Sequence, residues 1–268
     1  MNPKTGMVLS ALIKEENAMK IQLIRNATMK IELAGKTILT DPMLSLKHGI
    51  ESFAGNEKNP TVELPLPVED ILSNVDMVLV SHVHQDHFDA AARQLLPKDM
   101  PIFCTKEYED SIKESGFLKV TSIEDQTEWQ GIKIVRTPGQ HAGNEKWQKI
   151  LGSVSGFLLK AENEPTLYWP GDTILYDEVE AVLKTEHPDI ILPHCCGAVL
   201  EDSGPIVMNG KMAIDICGLA PKATVVAIHM EALDHATVSR QELKALADAA
   251  NLTSEQFMIP QDGETLTF

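Results

Sequence analysis

The chain has 268 residues, and its hydrophobic content of 43% is enough for a full globular core. Its 23 basic and 39 acidic residues give a formal net charge of −16, which argues against binding to nucleic-acid phosphates or to anionic membranes. The sequence has four cysteines without a CxxC pair, no signal-peptide pattern and no run approaching ~20 apolar residues, which predicts a cytoplasmic protein without a membrane span.

The first predicted elements form an antiparallel meander. Three β-rich runs, Lys20–Arg25, Thr28–Leu33 and Lys36–Thr40, are separated by turn-like breaks. Residues 1–18 precede this meander and are interpreted as a loosely ordered N-terminal extension or an ambiguity in the start site. Residues 19–268 are predicted to form one domain.

Beyond the meander, helices and strands alternate. Helices are predicted at residues 68–74, 89–96, 106–115, 176–185, 211–219 and 239–250. Strands are predicted at residues 77–80, 101–105, 119–123, 128–138, 154–161, 165–169, 189–193, 224–229, 256–260 and 264–268, with a loop over residues 139–149. A β-rich part followed by alternating α and β, twice over, predicts a layered α/β domain with sheets packed on each other inside helices.

The most informative segment directly follows the predicted strand Met77–Val80. His82, His84, Asp86 and His87 place four metal-binding side chains within six positions. Without a cation, the crowded imidazoles would repel one another when protonated and would bury unpaired polar atoms when neutral. A solvated polar loop is the alternative, and it is disfavoured because a hydrophobic strand runs straight into the cluster. The spacing therefore predicts a metal site, and it suits two ions.

Three further candidate ligands lie elsewhere in the chain. His141, Asp172 and His229 come at the ends of predicted β-runs, as His82 does. Taken singly, such a residue is more often an ordinary surface or core residue than a ligand. Their joint occurrence favours the ligand interpretation, because one edge of the sheets could then carry the whole set.

The HxHxDH segment, followed by a histidine, an aspartate and a histidine in separate strand-end loops, resembles the metallo-β-lactamase superfamily. Residues 39–42, 168–173 and 228–229 are similar to the lactonase-like metal-dependent hydrolases, the branch that includes L-ascorbate-6-phosphate lactonase. The resemblance covers most of the chain and implies a four-layered αββα sandwich. It also implies one ion bound by His82, His84 and His141, a second bound by Asp86, His87 and His229, and a bridge between them at Asp172.

Nitrogen and oxygen ligands without cysteine fit two divalent metal ions, with zinc as the default and manganese or iron as alternatives. Such a pair, bridged by Asp172 and a water, would lower the pKa of that water and supply hydroxide near neutral pH. The chain is therefore predicted to be a metal-dependent hydrolase of a small ester, lactone or phosphodiester, with Asp86, Asp172 and His235 as catalytic residues. A di-iron redox protein on the same fold and a non-catalytic metal-binding module are the alternatives.

Several residues near the predicted site have two interpretations each. Asp41 either accepts a hydrogen bond from a ligand imidazole or forms the turn that follows it. His235 either reaches the substrate as a proton donor or phosphate contact, or is a helix-capping or surface residue. His194 and Trp147 are candidates for the pocket wall, against burial for the first and surface exposure for the second. Cys196, like its neighbour, is interpreted as a packing residue. The predicted partner is a small-molecule substrate, and assembly into a homo-oligomer is left open.

Overall fold

The computed structural model describes residues 18–268, so all but the last residue of the predicted extension 1–18 lies outside the described part of the chain. Two seven-stranded sheets and seven α-helices make up the described part. The predicted α/β sandwich is confirmed. None of the helices between residues 18 and 268 has the length and apolar character needed to cross a membrane.

The first sheet carries the strand that leads into the HxHxDH segment. Its strands are β1 (Lys20–Arg25), β2 (Thr28–Leu33), β3 (Lys36–Thr40), β4 (Met77–Val80), β5 (Pro101–Thr105), β6 (Lys119–Ile123) and β14 (Thr265–Thr267). They lie in the order β14-β1-β2-β3-β4-β5-β6. Pairing is antiparallel from β14 to β3, which confirms the predicted meander, and parallel from β3 to β6.

The second sheet repeats this pattern of pairings. Its strands are β7 (Gln126–Trp129), β8 (Ile132–Pro138), β9 (Ser155–Ala161), β10 (Leu167–Trp169), β11 (Ile190–Ile191), β12 (Thr224–Val226) and β13 (Phe257–Met258). They lie in the order β13-β12-β11-β10-β9-β8-β7. Pairing is antiparallel from β7 to β10 and parallel from β10 to β13.

The helices cover the outer faces of the two sheets. They are α1 (Val68–Leu72), α2 (Ala90–Leu95), α3 (Glu109–Glu114), α4 (Glu145–Leu151), α5 (Asp177–Glu186), α6 (Gly210–Leu219) and α7 (Arg240–Ala249), and a 3-10 turn (Lys106–Tyr108) precedes α3. As predicted, Asp89 caps α2, and its side chain accepts the backbone N–H of Ala92. Ser239 and Glu242 form a capping box at the start of α7.

Three buried clusters separate the four layers. The central cluster lies between the sheets and contains Leu79 from β4 and Trp169 from β10. A second cluster packs α1, α2 and α3 on the first sheet, with Ile71 fully buried. The third packs α4 to α7 on the second sheet and contains Val179 and Leu243. Burial of these apolar faces is the main force that holds the layers together.

The structure corrects the prediction at two places in the second half. The predicted strand 128–138 is a hairpin of β7 and β8, because Gln130 and Gly131 have φ values of 51° and 81° and reverse the chain. The predicted loop 139–149 contains α4, which Asn144 caps by accepting the N–H of Trp147. The polar sequence of α4 concealed it, because Trp147 is the one residue of this helix that is buried.

Candidate metal centre

The candidate ligands lie where strands of both sheets end. His82 follows β4 of the first sheet, whereas His141, Asp172 and His229 follow β8, β10 and β12 of the second sheet. The ends of these strands meet at one edge of the sandwich, so residues far apart in the chain become neighbours. The structure brings all seven predicted ligands together, and the assignment of each to an ion remains a prediction.

The first group consists of His82, His84 and His141, whose ligand nitrogens lie within 4.8 Å of one another. Nε2 of His82 and Nδ1 of His84 are 3.0 Å apart. His141 donates its Nδ1–H to the carbonyl oxygen of Ile206 at 2.7 Å, which leaves its Nε2 lone pair free. Burial is the largest influence on His141 and lowers its pKa to about 4, so this imidazole is neutral near pH 7. Neutral imidazoles are the form that binds zinc-type ions.

The second group consists of Asp86, His87 and His229. Nε2 of His87 lies 3.3 Å from Nε2 of His229. The same two nitrogens lie 3.3 and 3.4 Å from Oδ2 of Asp86. Two ring nitrogens that face each other in a buried site need either a hydrogen atom or a metal ion between them, because two facing lone pairs would be left unpaired.

Asp172 lies between the two groups. Its Oδ2 is 3.2 Å from Nε2 of His87, 3.5 Å from Nε2 of His141 and 3.8 Å from Nε2 of His82. One carboxylate oxygen therefore faces histidines of both groups, which is the placement that a bridging ligand requires.

A glycine makes this placement of Asp172 feasible. Gly171 has a φ of 70°, and a Cβ at this position would lie 2.5 Å from the carbonyl oxygen of Ser155. Only glycine combines this backbone conformation with so close an approach to the neighbouring strand.

The buried carboxylates give the second group a negative field. Burial opposes a charge on His229, but Asp172 and Cys196 outweigh burial and raise the pKa of this histidine to about 10. Burial also opposes a charge on His87, and Asp172, Asp86 and Asp41 together raise its pKa well above the usual value. Burial would raise the pKa of Asp86, yet the facing histidines hold it well below its ordinary value. The donor set therefore favours a cation, which fits the predicted divalent ions.

Asp41 fixes the orientation of two candidate ligands. This fully buried carboxylate accepts the Nδ1–H of His87 at 2.6 Å, and the backbone N–H and hydroxyl of Ser81 at 2.7 and 2.5 Å. Because the Ser81 hydroxyl donates to Asp41, its oxygen is free to accept the Nδ1–H of His82 at 3.0 Å. Both imidazoles then present Nε2 to the site, which supports the hydrogen-bonding interpretation of Asp41.

The sequence reasoning missed the role of His194. Trp169 donates its indole N–H to Nε2 of His194 at 2.8 Å, so the other ring nitrogen of His194 carries the proton. That Nδ1–H is 2.5 Å from Oδ1 of Asp172 and donates to it. His194 is therefore a partner of Asp172 and does not line the pocket. Its position directly after a strand, the same criterion that selected His141, could have identified it.

Three further contacts around the second group were not predicted. Asn26, in the turn between β1 and β2, donates its side-chain N–H to the backbone oxygen of Asp86 at 2.9 Å. The backbone oxygen of Asn26 accepts the N–H of His229 at 2.9 Å, and His229 has a φ of 61°. Cys196 places its sulfur 3.3 Å from Nδ1 of His229, so it does more than pack. These contacts hold His229 in a backbone conformation that non-glycine residues seldom adopt.

A cavity of about 500 Å³ opens above the two groups. Its polar residues are Ser52, His84, Gln85, Asp86, His141, Asp172 and His235, and its apolar residues are Phe53, Val83, Leu151, Leu200 and Ile206. None of these residues is Lys or Arg. Trp147 is not among them, because its indole N–H is turned towards Asp202 at 2.9 Å.

His235 lines this cavity, and its role in catalysis stays a prediction. The side chain is buried, with 8% of the residue surface exposed, and its Nδ1 has no hydrogen-bond partner among the described residues. Its ring packs edge-on against Phe53, with the ring centroids 5.2 Å apart. Burial lowers the pKa of His235, so the ring is neutral near pH 7. A buried polar atom without a hydrogen-bond partner is uncommon in native structures, and it marks His235 as a candidate functional residue.

Comparisons with known proteins agree with this arrangement. A family model described as a beta-lactamase superfamily domain matches residues 36–230. A Bacillus subtilis protein, UPF0173 protein YddR, is 36% identical over 93% of this chain and 100% of its own length. The crystal structure of an isothiocyanate hydrolase from Delia radicum gut bacteria has 35% identity and a TM-score of 0.88, and the match covers 93% of this chain and 99% of that chain. The structure of a possible metal-dependent hydrolase from Veillonella parvula has 32% identity and a TM-score of 0.90, over 94% and 100% of the two chains.

Proposed function

The chain belongs to the beta-lactamase superfamily and, within it, to the UPF0173 metal-dependent hydrolases, and on that premise we propose that it hydrolyses a small, uncharged ester or lactone at a centre of two divalent ions. The observation that carries this proposal is Oδ2 of Asp172, which faces histidines of both ligand groups at 3.2 to 3.8 Å. Zinc is the expected metal, with manganese or iron as alternatives.

The ions would be held by the side chains that face one another at the sandwich edge. His82, His84 and His141 would hold one ion, Asp86, His87 and His229 the other, and Asp172 both. When bound, such a pair supplies a water of lowered pKa as nucleophile and a Lewis acid for the developing negative charge.

The protein's own residues orient the reaction. Asp86 and Asp172 present buried carboxylates to the cavity floor, where they are positioned to accept a proton from the attacking water. His235 lines the wall of the cavity, and we assign its imidazole to a hydrogen bond with the leaving oxygen. The apolar side chains of the wall offer contact surface to an apolar part of the substrate.

The cavity lining favours the ester or lactone over the phosphodiester. A phosphodiester carries a negative charge, and proteins usually bind such groups with Lys, Arg or a helix N-terminus. No Lys or Arg side chain lines this cavity, so apart from the bound ions no permanently cationic group would pair with the phosphate oxygens. An uncharged substrate needs no such partner.

A second candidate is the hydrolysis of an isothiocyanate, and one observation favours it. The isothiocyanate hydrolase has 35% identity over 93% of this chain, and an isothiocyanate is small and uncharged, as the cavity requires. The oxygen of water would add to the central carbon of R–N=C=S, both protons of the water would pass to nitrogen, and the C–N bond would break, which gives R–NH2 and carbonyl sulfide.

A substrate panel tests both candidates. Zinc-loaded protein is assayed on p-nitrophenyl acetate, δ-valerolactone, bis(p-nitrophenyl) phosphate and benzyl isothiocyanate. We expect turnover of at least one uncharged compound, loss of at least 100-fold in Asp172→Ala, and wild-type rates in Asp76→Asn, whose carboxylate accepts the Thr37 N–H at the opposite end of β4. Turnover of the phosphodiester alone, or full activity in Asp172→Ala, would contradict the proposal.

A further inference from the structure

One wall of the cavity is a loop wrapped around a single carboxylate. Asp234 accepts hydrogen bonds from the backbone N–H groups of Phe53, Ala54 and Asn56 at 3.0, 3.1 and 3.2 Å. It also accepts the hydroxyl hydrogen of Ser52 and the side-chain N–H of Asn59, the latter at 2.9 Å. Five donors from one loop therefore converge on one side chain.

The other contacts of Asp234 close the same loop. The backbone N–H of Asp234 donates to Oδ1 of Asn59 at 2.8 Å, and Asn56 donates its side-chain N–H to the backbone oxygen of Asp234 at 3.1 Å. Thr61 donates its backbone N–H to the oxygen of Ala232 at 2.9 Å. The segment that contains Asp234 thus sets the position of the loop along its whole length.

This loop contributes Ser52 and Phe53 to the lining of the cavity, and Phe53 is its apolar contribution. Phe53 lines the cavity and packs on the small buried cluster of Met43, Ile50, Ala232 and Leu233. Leu151, Leu200 and Ile206 line the cavity from the large cluster of the second sheet. The candidate ligands that line the same cavity form its polar floor.

We propose that Phe53, held in place by Asp234, is the specificity-determining wall of this site, and that it accepts the uncharged apolar substituent of the substrate. This inference rests on the proposed function, because it names the part of the substrate that the cavity selects. The substituent lies between Phe53 and the facing aliphatic side chains, and the reactive carbon lies over the floor. Asp234 is a positioning residue, since it acts through the loop and does not line the cavity.

Binding of alkanohydroxamic acids tests this proposal without any turnover. The hydroxamate group chelates metal ions, and a series from two to eight carbons extends the alkyl tail into the cavity. For zinc-loaded wild-type protein, we expect the dissociation constant measured by calorimetry to fall about fourfold for each of the first few methylenes. In Phe53→Ala this dependence on chain length should be lost, while metal content and affinity for acetohydroxamic acid stay within about twofold of wild type.

The variant Asp234→Asn distinguishes the effect of the loop position from the effect of the Phe53 side chain itself. It keeps Phe53 and should still lose the chain-length dependence, because the amide replaces an acceptor that five donors share. Hydrogen exchange should show lost protection of the amides of Phe53, Ala54 and Asn56. Asp76→Asn, which also removes a carboxylate that accepts a backbone N–H, should bind as wild type does.

The outcomes distinguish this proposal from the proposed function. If the dissociation constant depends on chain length in wild type and Phe53→Ala abolishes this dependence, the result supports Phe53 as the specificity-determining wall. This holds even if no ester, lactone or isothiocyanate is hydrolysed. The same dependence in Phe53→Ala and wild type, or no dependence in wild type, would overturn it. If Asp234→Asn does not fold, Phe53→Ala and Phe53→Leu decide the matter, with Phe53→Leu expected to keep part of the dependence.

Discussion

Trp169 donates its indole N–H to Nε2 of His194 at 2.8 Å, and this hydrogen bond determines which face of Asp172 is free. Because the indole occupies Nε2, the proton of His194 lies on Nδ1 and is donated to Oδ1 of Asp172. The other oxygen, Oδ2, then faces the candidate ligands of both groups. A buried tryptophan between the sheets thus sets the orientation of the predicted bridging carboxylate.

Trp169→Phe should weaken metal binding without unfolding the protein. The substitution keeps the ring in the core but frees His194 to take the other tautomer, which turns a lone pair towards Asp172. Loss of such an outer partner typically lowers metal affinity by about 10- to 100-fold. Competition with a chromophoric chelator measures this affinity.

Two variants serve as controls for that result. Trp129→Phe changes a tryptophan at the outer strand β7, away from the ligands, and should keep wild-type affinity. His194→Asn keeps a nitrogen donor for Asp172 and should retain more affinity than His194→Ala. Equal affinity in Trp169→Phe and wild type would rule out the orienting role of the indole.

Gly171→Ala should destabilise the protein and reduce its metal content. An alanine Cβ here would lie 2.5 Å from the oxygen of Ser155, in addition to the strain of a φ of 70°. We expect a loss of about 2–4 kcal/mol in the free energy of unfolding. Urea denaturation of metal-free protein gives the first quantity, and elemental analysis the second.

Gly131→Ala is the matched control, because Gly131 has a φ of 81° but no atom within 4 Å of the added Cβ. Gly131→Ala should lower the free energy of unfolding by about 1 kcal/mol, because it adds only the backbone strain of a positive φ, and it should leave the metal content unchanged. If Gly171→Ala lowers the free energy of unfolding no more than Gly131→Ala does, the close approach of Gly171 to Ser155 does not constrain this position.

The hydrogen bonds between the loop and Asp234 should persist to a lower pH than those of a carboxylate with an ordinary pKa. Burial would raise the pKa of Asp234, but hydrogen bonds from Ser52, Asn59 and the loop amides outweigh burial and hold this pKa well below its usual value. A lowered carboxyl pKa gives stability that is present above the unfolded value of ~3.9 and is lost as the pH falls through the folded value. Protection factors of the amides of residues 53–56 should therefore be the same at pH 7 and pH 4.5.

The same measurement on Asp234→Asn provides the comparison. This variant should show low protection of these amides at both pH values, since it has no carboxylate to titrate. Loss of wild-type protection between pH 7 and pH 5 would mean that Asp234 does not hold the loop as described.

Much of the fold followed from local sequence patterns. β1, β2, β3 and β4 were predicted with their observed bounds, because short apolar runs between turn residues mark buried strands. The hairpin at Gln130 was missed because its turn lies inside an otherwise continuous β-like run. Helix α4 was missed because a short helix with one buried side chain has almost no periodic apolar pattern.

The candidate site was predictable only in part. The HxHxDH segment is local, so its donors could be recognised from spacing, and the remaining ligands followed from their places at strand ends. The partners of these ligands could not be recognised in the same way. Trp169, Asn26 and Asp234 act through contacts between segments 25 to 182 residues apart, and such contacts leave no pattern in the sequence.

The number of metal ions per chain tests the central claim most directly. Elemental analysis of protein purified without chelators should find two divalent ions per chain, with zinc predominant, and one or fewer in Asp172→Ala. An iron content of two per chain would favour the di-iron redox alternative. A wild-type content of one ion or less, or a content that Asp172→Ala leaves unchanged, would contradict a two-ion hydrolytic centre bridged by Asp172.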